Sequence, residues 1–267
     1  MKIPNFEIFD LNVHFTVNGK FRDYKRNIPS SLSNYMSAVP DYIKISGGLE
    51  VGVPNVGQYS HLGFKNLNGF SGAVKFASVT KNTIENYDGN IGLVKDLGYV
   101  GLKYHPRTFE DKFFSKVSKS LIEYCKYFDL IYGICTYEDD NFYSKRYKRE
   151  LLKTLDLALE SKVKIILFHG CGKNFAELYA LYGAQKNVFF DCSFSPLRFS
   201  YGDFLDNLVT ELRMGADNVG FGSDFPDYSI VNYENMITHI HRNVQKENFI
   251  KFFASNSKNF LSINSAQ

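Results

Sequence analysis

From Gly72 onward, short apolar runs of strand length alternate with longer stretches whose apolar residues recur at helical spacing. That alternation is the pattern of βα units, and it confines the chain to folds in which a parallel sheet is covered by helices. Counting back to the first apolar run, strands are expected at Glu7 to His14, Leu49 to Val53, Ala73 to Val79, Tyr99 to His105, Leu130 to Thr136, Val163 to His169, Val188 to Asp191 and Val219 to Asp224. Runs such as KIILFH and NVFFD are apolar on both faces, as strands buried beneath helices should be. Between them, Phe114, Val117, Leu121, Cys125 and Phe128 form one helical stripe, and Leu151, Leu152, Leu155 and Leu159 another. About eight such units have the size and count of a (β/α)8 TIM barrel. A doubly wound open sheet is the alternative, but the first strand lacks the glycine-rich phosphate turn of a dinucleotide fold.

Charge and composition narrow the function. The 31 basic and 28 acidic residues balance too evenly for a polyanion to be the main partner, which argues against nucleic acid. No apolar run reaches the roughly 18 residues of a membrane helix, and Glu7 and Asp10 interrupt the stretch a signal peptide would need. Cys125, Cys135, Cys171 and Cys192 show neither CxxC pairs nor the density of a disulfide scaffold, so a reducing cytoplasm is the expected location. No linker or low-complexity tract divides the chain. Residues 1–267 are therefore read as one domain with a long excursion between Gly19 and Gly72, rich in Gly, Asn and Ser. That excursion is a candidate lid carrying His61, and its Gly47 and Gly48 read as turn residues. Ser144 to Glu150, SKRYKRE, reads as the solvated start of an amphipathic helix, and His239 and His241 fall in a helical region away from any strand end.

Polar residues collect where the apolar strands finish. The first strand closes in Asp10, Asn12 and His14, the fourth in Lys103 and His105, the fifth in Cys135 and Thr136, and the sixth in His169; the seventh ends in Asp191 and the eighth in Asp224. In a parallel barrel these C-terminal ends converge on one mouth, where barrel enzymes keep their chemistry. Asn12 and His14 lie two residues apart on a strand and share a face, as do Lys103 and His105.

This ordered set resembles the amidohydrolase superfamily, specifically the amidohydrolase 2 group, which holds metal-dependent TIM-barrel hydrolases and relatives of aminocarboxymuconate semialdehyde decarboxylase. IFDLNVHF resembles that group's opening Asp-x-His-x-His strand, GYVGLKYHPR its Gly-x-Lys-Leu-His-Pro segment, and KIILFHGCG its His-x-Gly. NVFFDCS resembles its Asp-x-Ser, GFGSDFP its Gly-Ser-Asp-x-Pro, and FFASNSKNFL its C-terminal Asn-x-x-x-Leu helix. Two positions depart: Asn12 stands where the first histidine is usual, and Cys135 where the fifth strand usually ends in histidine.

The resemblance implies a hydrolase that activates water, with metal assistance, against a C–O or C–N bond of a small, polar, anionic substrate. The implied metal is a divalent ion, Zn or Mn, held by His14, His169 and Asp224 with Asn12 and Cys135 at the altered positions. A Cys135 thiolate suits zinc, whereas the Asn12 carbonyl is a weak, hard donor. Asp224 is the implied general base, and His169 the group that orients or polarises the carbonyl. Lys103, His105 and Arg107 are read as the substrate-binding cluster, with Arg198 as a further candidate for an anionic group. Without a metal, Asp224 and His169 can still activate water against a labile ester or lactone. A non-oxidative decarboxylase and a non-catalytic ligand-binding barrel are the other readings. The expected partner is a small-molecule substrate rather than nucleic acid or a membrane, and a homo-oligomer is compatible with the sequence.

Overall fold

The computed structural model describes residues 3–15, 20–23, 26–52, 72–79, 91–106, 114–137, 145–198 and 203–262. Eight parallel strands follow one another around a single sheet: β1 (Phe6–Val13), β2 (Ile43–Val51), β3 (Ala73–Val79), β4 (Gly101–Tyr104), β5 (Ile131–Cys135), β6 (Ile165–Phe168), β7 (Val188–Asp191) and β8 (Val219–Gly220). The sheet closes on itself. The Leu11 amide donates to the Phe221 carbonyl (3.0 Å), the Asp224 amide to the Asn12 carbonyl (2.9 Å) and the His14 amide to the Phe225 carbonyl (2.8 Å), with a parallel bridge between Val13 and Phe225. The (β/α)8 barrel expected from the alternation is the observed fold, and the open-sheet alternative is excluded by this closure.

Seven strands fall within a few residues of their expected spans. The second begins at Ile43 rather than Leu49, so Gly47 and Gly48 lie inside a strand and not in a turn. The cause is a bulge. Ile8 pairs with Ile45 and Phe9 with Gly47, which leaves Ser46 as the extra residue and breaks the two-residue alternation that marks a strand in sequence. Gly47 has φ 141°, and a Cβ there would lie 2.7 Å from the Gly72 carbonyl oxygen and 2.9 Å from the Phe9 ring. Only glycine fits that close approach.

Phe9, Leu11, Leu49, Val51, Phe76, Ile131, Ile166, Phe168 and Phe189 fill the barrel. The C-terminal segment closes its floor: Phe260 packs 4.8 Å from the Phe189 ring, and its carbonyl accepts from Lys164 Nζ at 2.7 Å. Asn256, the first asparagine of FFASNSKNFL, donates its side-chain amide to the Ala216 and Val219 carbonyls at 3.0 Å each, tying that segment to the start of β8. A cleft of about 230 Å³ bordered by Asn5, Glu7, Asp41 and Lys44 lies at this N-terminal end of the strands, away from the strand-end polar residues.

Outside the barrel, the helices Phe114–Phe128 and Lys145–Ser161 turn their expected stripes inward, burying Phe114, Leu121, Cys125, Leu151 and Leu155. The SKRYKRE segment begins the second of these helices, as expected. His239 and His241 lie on the helix Glu234–Asn243, where the His241 ring meets Phe249 edge-on at 5.3 Å. The early excursion supplies an antiparallel ribbon, Lys20–Asp23 with Arg26–Pro29, and the helix Leu32–Ser37, capped by Ser31. His61 and the rest of the candidate lid through residue 71 lie outside the described residues, as does Arg107. No described helix is long and apolar enough to cross a membrane.

Glu50 interrupts this apolar arrangement. Leu49 and Val51 point into the barrel, so Glu50 between them faces the surrounding layer, opposite Lys75 on β3. It is fully buried, and neither carboxylate oxygen has a hydrogen-bond partner among the described residues. Burial pushes its pKa from 4.5 up to about 7, with the Lys75 charge acting the other way. Between those values the unfolded chain releases a proton that the folded chain keeps, so stability is present at low pH, falls as pH rises through the window and stays lost above it. Replacing Glu50 by Gln removes that penalty. Urea midpoints should show Glu50→Gln gaining on the order of 2 kcal/mol over wild type between pH 5 and pH 8, and a difference that does not change with pH would contradict the buried-carboxyl account.

Candidate active site

At the C-terminal ends of the strands the closure of β1 onto β8 brings Asn12 against Asp224. The Asn12 amide nitrogen donates to Asp224 Oδ1 at 2.8 Å and to Ser193 Oγ at 3.0 Å, while its amide oxygen accepts from Lys103 Nζ at 3.2 Å. This orientation of the amide is fixed by chemistry, because a lysine can only donate and an ionised carboxylate can only accept. Lys103 is wholly buried and also lies 4.0 Å above the centre of the Phe168 ring. As placed, it holds Asn12.

Two imidazoles flank Asp224. His14 donates from Nδ1 to the Val51 carbonyl at 2.8 Å, which turns Nε2 toward Asp224 Oδ1 at 3.5 Å. His169 Nδ1 lies 4.0 Å from Asp224 Oδ2 and 3.1 Å from Ser193 Oγ. The Ser193 hydroxyl donates to Asp191 Oδ2 at 2.5 Å, so its oxygen is left to accept from His169 and Asn12. Asp191 is held by three further constraints: its oxygens accept from the Ser193 and His169 amides at 3.1 and 3.3 Å, and Gly222 packs so tightly that a Cβ there would lie 2.3 Å from Asp191 Oδ1. Of the residues singled out in the sequence, Asn12, His14, Lys103, His169 and Asp224 come together. Cys135 is buried on β5 with its carbonyl accepting from Tyr147, and His105 is half-buried just beyond β4. Arg198 is exposed at the rim, with Nη1 3.4 Å from the Tyr137 hydroxyl, and Tyr137 lies edge-on to His169 at 5.9 Å.

The electrostatics divide the acids into two kinds. Burial pushes Asp10 up to about 6 against the donors Ser223, Tyr35 and Asn12, and pushes Asp191 up to about 7 against Ser193, Lys103 and His169. Asp224 goes the other way. Burial raises it too, but His169, His14 and Lys103 together outweigh that and hold it well below the usual carboxylate range. Lys103 is itself lowered by burial, while Cys135, Asp224 and Asp191 act to raise it. Asp224 is the member of the cluster most strongly held in its ionised form, and the charges around it are the reason.

The likeness of this chain to known proteins lies in its architecture. No family model matches the chain, and no curated protein matches it in sequence. Among solved structures, it is similar to an uncharacterised TIM-barrel protein from Bordetella bronchiseptica, with 12% identity, a TM-score of 0.72 and coverage of 96% of this chain and 99% of that one. A dihydroorotase from Campylobacter jejuni matches with 15% identity and a TM-score of 0.64 over 98% of this chain and 85% of its own. A putative amidohydrolase from Staphylococcus aureus matches with 11% identity and a TM-score of 0.60 over 97% and 100%. The chain shares its TIM-barrel fold with all three.

Within this barrel the ligand set that the resemblance implies does not fit a metal ion. Among the described residues no group of three or more His, Cys, Asp or Glu side chains is arranged to hold one. Asn12 adds to the misfit: its one metal-binding atom, the amide oxygen, already accepts from the Lys103 ammonium, and its nitrogen donates to Asp224 Oδ1. No step of the chemistry is therefore drawn through a metal.

Four residues of the cluster carried no assigned role in the sequence. Ser193 lay in plain view in the NVFFDCS resemblance, two residues past Asp191 and so on its face. Asp10 lay in IFDLNVHF; it accepts from the Ser223 amide (2.7 Å), the Asn12 amide (3.2 Å) and the Tyr35 hydroxyl (2.9 Å). Tyr35 and Tyr233 had no local signal, because they come from the early excursion and from the turn preceding a late helix. The Tyr233 hydroxyl donates to the Ser223 carbonyl and accepts from the Phe194 amide, both at 2.8 Å, joining the loops after β7 and β8. Tyr233→Phe strands both buried partners and should cost about 2 kcal/mol in urea unfolding, and a loss within error of zero would remove this hydroxyl from the account of the site.

Proposed function

We propose that this barrel is a hydrolase in which Asp224 is the general base and His169 the group that orients and polarises the scissile carbonyl, acting on a C–O or C–N bond of a small anionic molecule. One observation carries the reading: a buried carboxylate kept ionised at the barrel mouth, between two imidazoles and a side-chain amide. Oδ1 is bonded to Asn12, and the Asn12 amide fixes the plane of the carboxylate. A water presented to Asp224 gives up a proton to it while its oxygen bonds to the acyl carbon. As the tetrahedral intermediate collapses, the proton passes to the leaving oxygen or nitrogen and the C–O or C–N bond breaks. Because Asp224 sits low among carboxylates, it is a modest base, which favours activated acyl groups such as lactones and labile esters over unstrained amides.

The anionic character of the substrate rests on basic residues that follow the strand ends. Arg198, exposed after β7, is proposed as a clamp together with His105 and with Arg107, which follows β4 in the sequence. They hold a carboxylate or phosphate by charge-assisted hydrogen bonds.

A panel of carboxylated lactones and aryl esters tests this directly. Asp224→Asn keeps the shape and removes the base, so kcat should fall by roughly 10² to 10⁴ with folding spared, and His169→Gln should also lower turnover. Wild-type turnover in Asp224→Asn sinks the reading. Arg198→Ala and Arg107→Ala should raise KM more than they lower kcat, because a group that binds ground and transition states alike acts on affinity. An unchanged KM in both removes the clamp.

A further inference from the structure

We infer that Lys103 is this barrel's built-in cation, occupying the electrostatic place of a divalent ion and keeping such an ion out. Three carboxylates, Asp10, Asp191 and Asp224, are buried at the strand ends around Asn12. Buried carboxyl groups in such number call for a compensating positive charge, which a bound cation often supplies. Here the compensating charge is delivered by a side chain of β4, wholly buried, seated on the Phe168 ring and bonded to the amide that grips Asp224. The stem has room because its neighbours are small: β4 pairs Lys103 with Gly133 of β5, and a Cβ on Gly133 would lie 2.6 Å from the Phe168 ring. A larger residue at Gly133 would displace the ring on which the ammonium rests.

The charge then travels through Asn12. Its oxygen takes the ammonium and its nitrogen passes the polarisation to Asp224 and Ser193, a chain of hydrogen bonds in which each strengthens the next. For a metal to enter, Asn12 has to release Lys103 and turn its oxygen, and the ion has to settle beside a fixed positive charge. A histidine at position 12 would bring a lone pair on nitrogen and no amide to accept from lysine. Asn12 and Lys103 therefore belong together: the amide is the residue that lets an ammonium substitute for an ion.

The inference deepens the hydrolase reading, but its test is separable from turnover. Chelator-treated wild-type protein is titrated calorimetrically with Zn²⁺ and with Mn²⁺, beside Lys103→Met and Lys103→Arg, and each is checked by elemental analysis. Wild type and Lys103→Arg should show no site tighter than about 100 μM, whereas Lys103→Met, with the cation gone and Asn12 released, should bind one equivalent at least about tenfold more tightly. If Lys103→Met does not fold, Lys103→Leu, likewise neutral and without a donor for Asn12, takes its place. One equivalent held tightly by wild type overturns the inference, as do equal affinities in wild type and the neutral variant. Tight wild-type binding would leave Asp224 as the proposed base, while a barrel without hydrolase activity would leave the built-in cation standing.

Discussion

The closure of β1 onto β8 is the constraint on which the site depends. Three backbone hydrogen bonds join the two, and each comes from a segment that also carries a site residue: Leu11 beside Asn12, Asp224 itself, and His14. Asp10 reinforces the seam from the side-chain layer, because its Oδ1 accepts from the Ser223 amide across the same gap. A parallel pair separated by some two hundred residues has no local turn to set its register, so the register has to be set by contacts of this kind. Asn12 and Asp224 meet at 2.8 Å because the barrel closes where it does.

From that seam the polar network spreads through hydroxyls rather than charges. Ser193 gives its proton to Asp191 and accepts from Asn12 and His169; Tyr233 joins the Ser223 carbonyl to the Phe194 amide; Tyr35 reaches Asp10 from the early excursion. Each hydroxyl both donates and accepts or completes a carboxylate's shell, so these three link their neighbours at no cost in net charge. Burial raises Asp10 and Asp191, whereas Asp224, next to the imidazoles and within the field of Lys103, stays ionised. Three aspartates on one barrel thus have different protonation behaviour because their neighbours differ.

Much of this was legible in the sequence, and the rest was hidden for identifiable reasons. The eight strands were readable because both their faces are apolar, and the convergence of Asn12, His14, Lys103, His169 and Asp224 followed from their positions at strand ends. The start of β2 was hidden by the bulge at Ser46 and Gly47, which breaks alternation. The partner of Lys103 was hidden as well. Lys103 and Asn12 are 91 residues apart, and nothing in either strand alone says that an ammonium on β4 reaches an amide on β1. The expectation of a metal set read each strand end as a ligand and had no way to see that two of them had been spent on each other.

Backbone strain marks the same region independently. Of the seven non-glycine residues with left-handed φ among the described residues, Asp129, Lys162 and Ser262 follow helix ends, and the other four, His169, Cys171, Phe194 and Asp224, lie here with φ values of 71°, 60°, 64° and 62°. A left-handed conformation at such residues costs on the order of 1 to 3 kcal/mol each and persists only where surrounding contacts over-determine it. Those contacts are present: the His169 carbonyl accepts from Ser195 Oγ, the Cys171 amide donates to Thr136 Oγ1 at 2.9 Å, the Phe194 amide to Tyr233, and the Asp224 amide to Asn12. All four positions follow β6, β7 or β8, at the mouth end of the barrel. A chain folding for stability alone would place glycine or asparagine at such positions. A histidine and an aspartate stand there instead, in the conformation that turns both toward Ser193 and Asn12, and that local cost is what positions the two side chains on which the proposed chemistry rests.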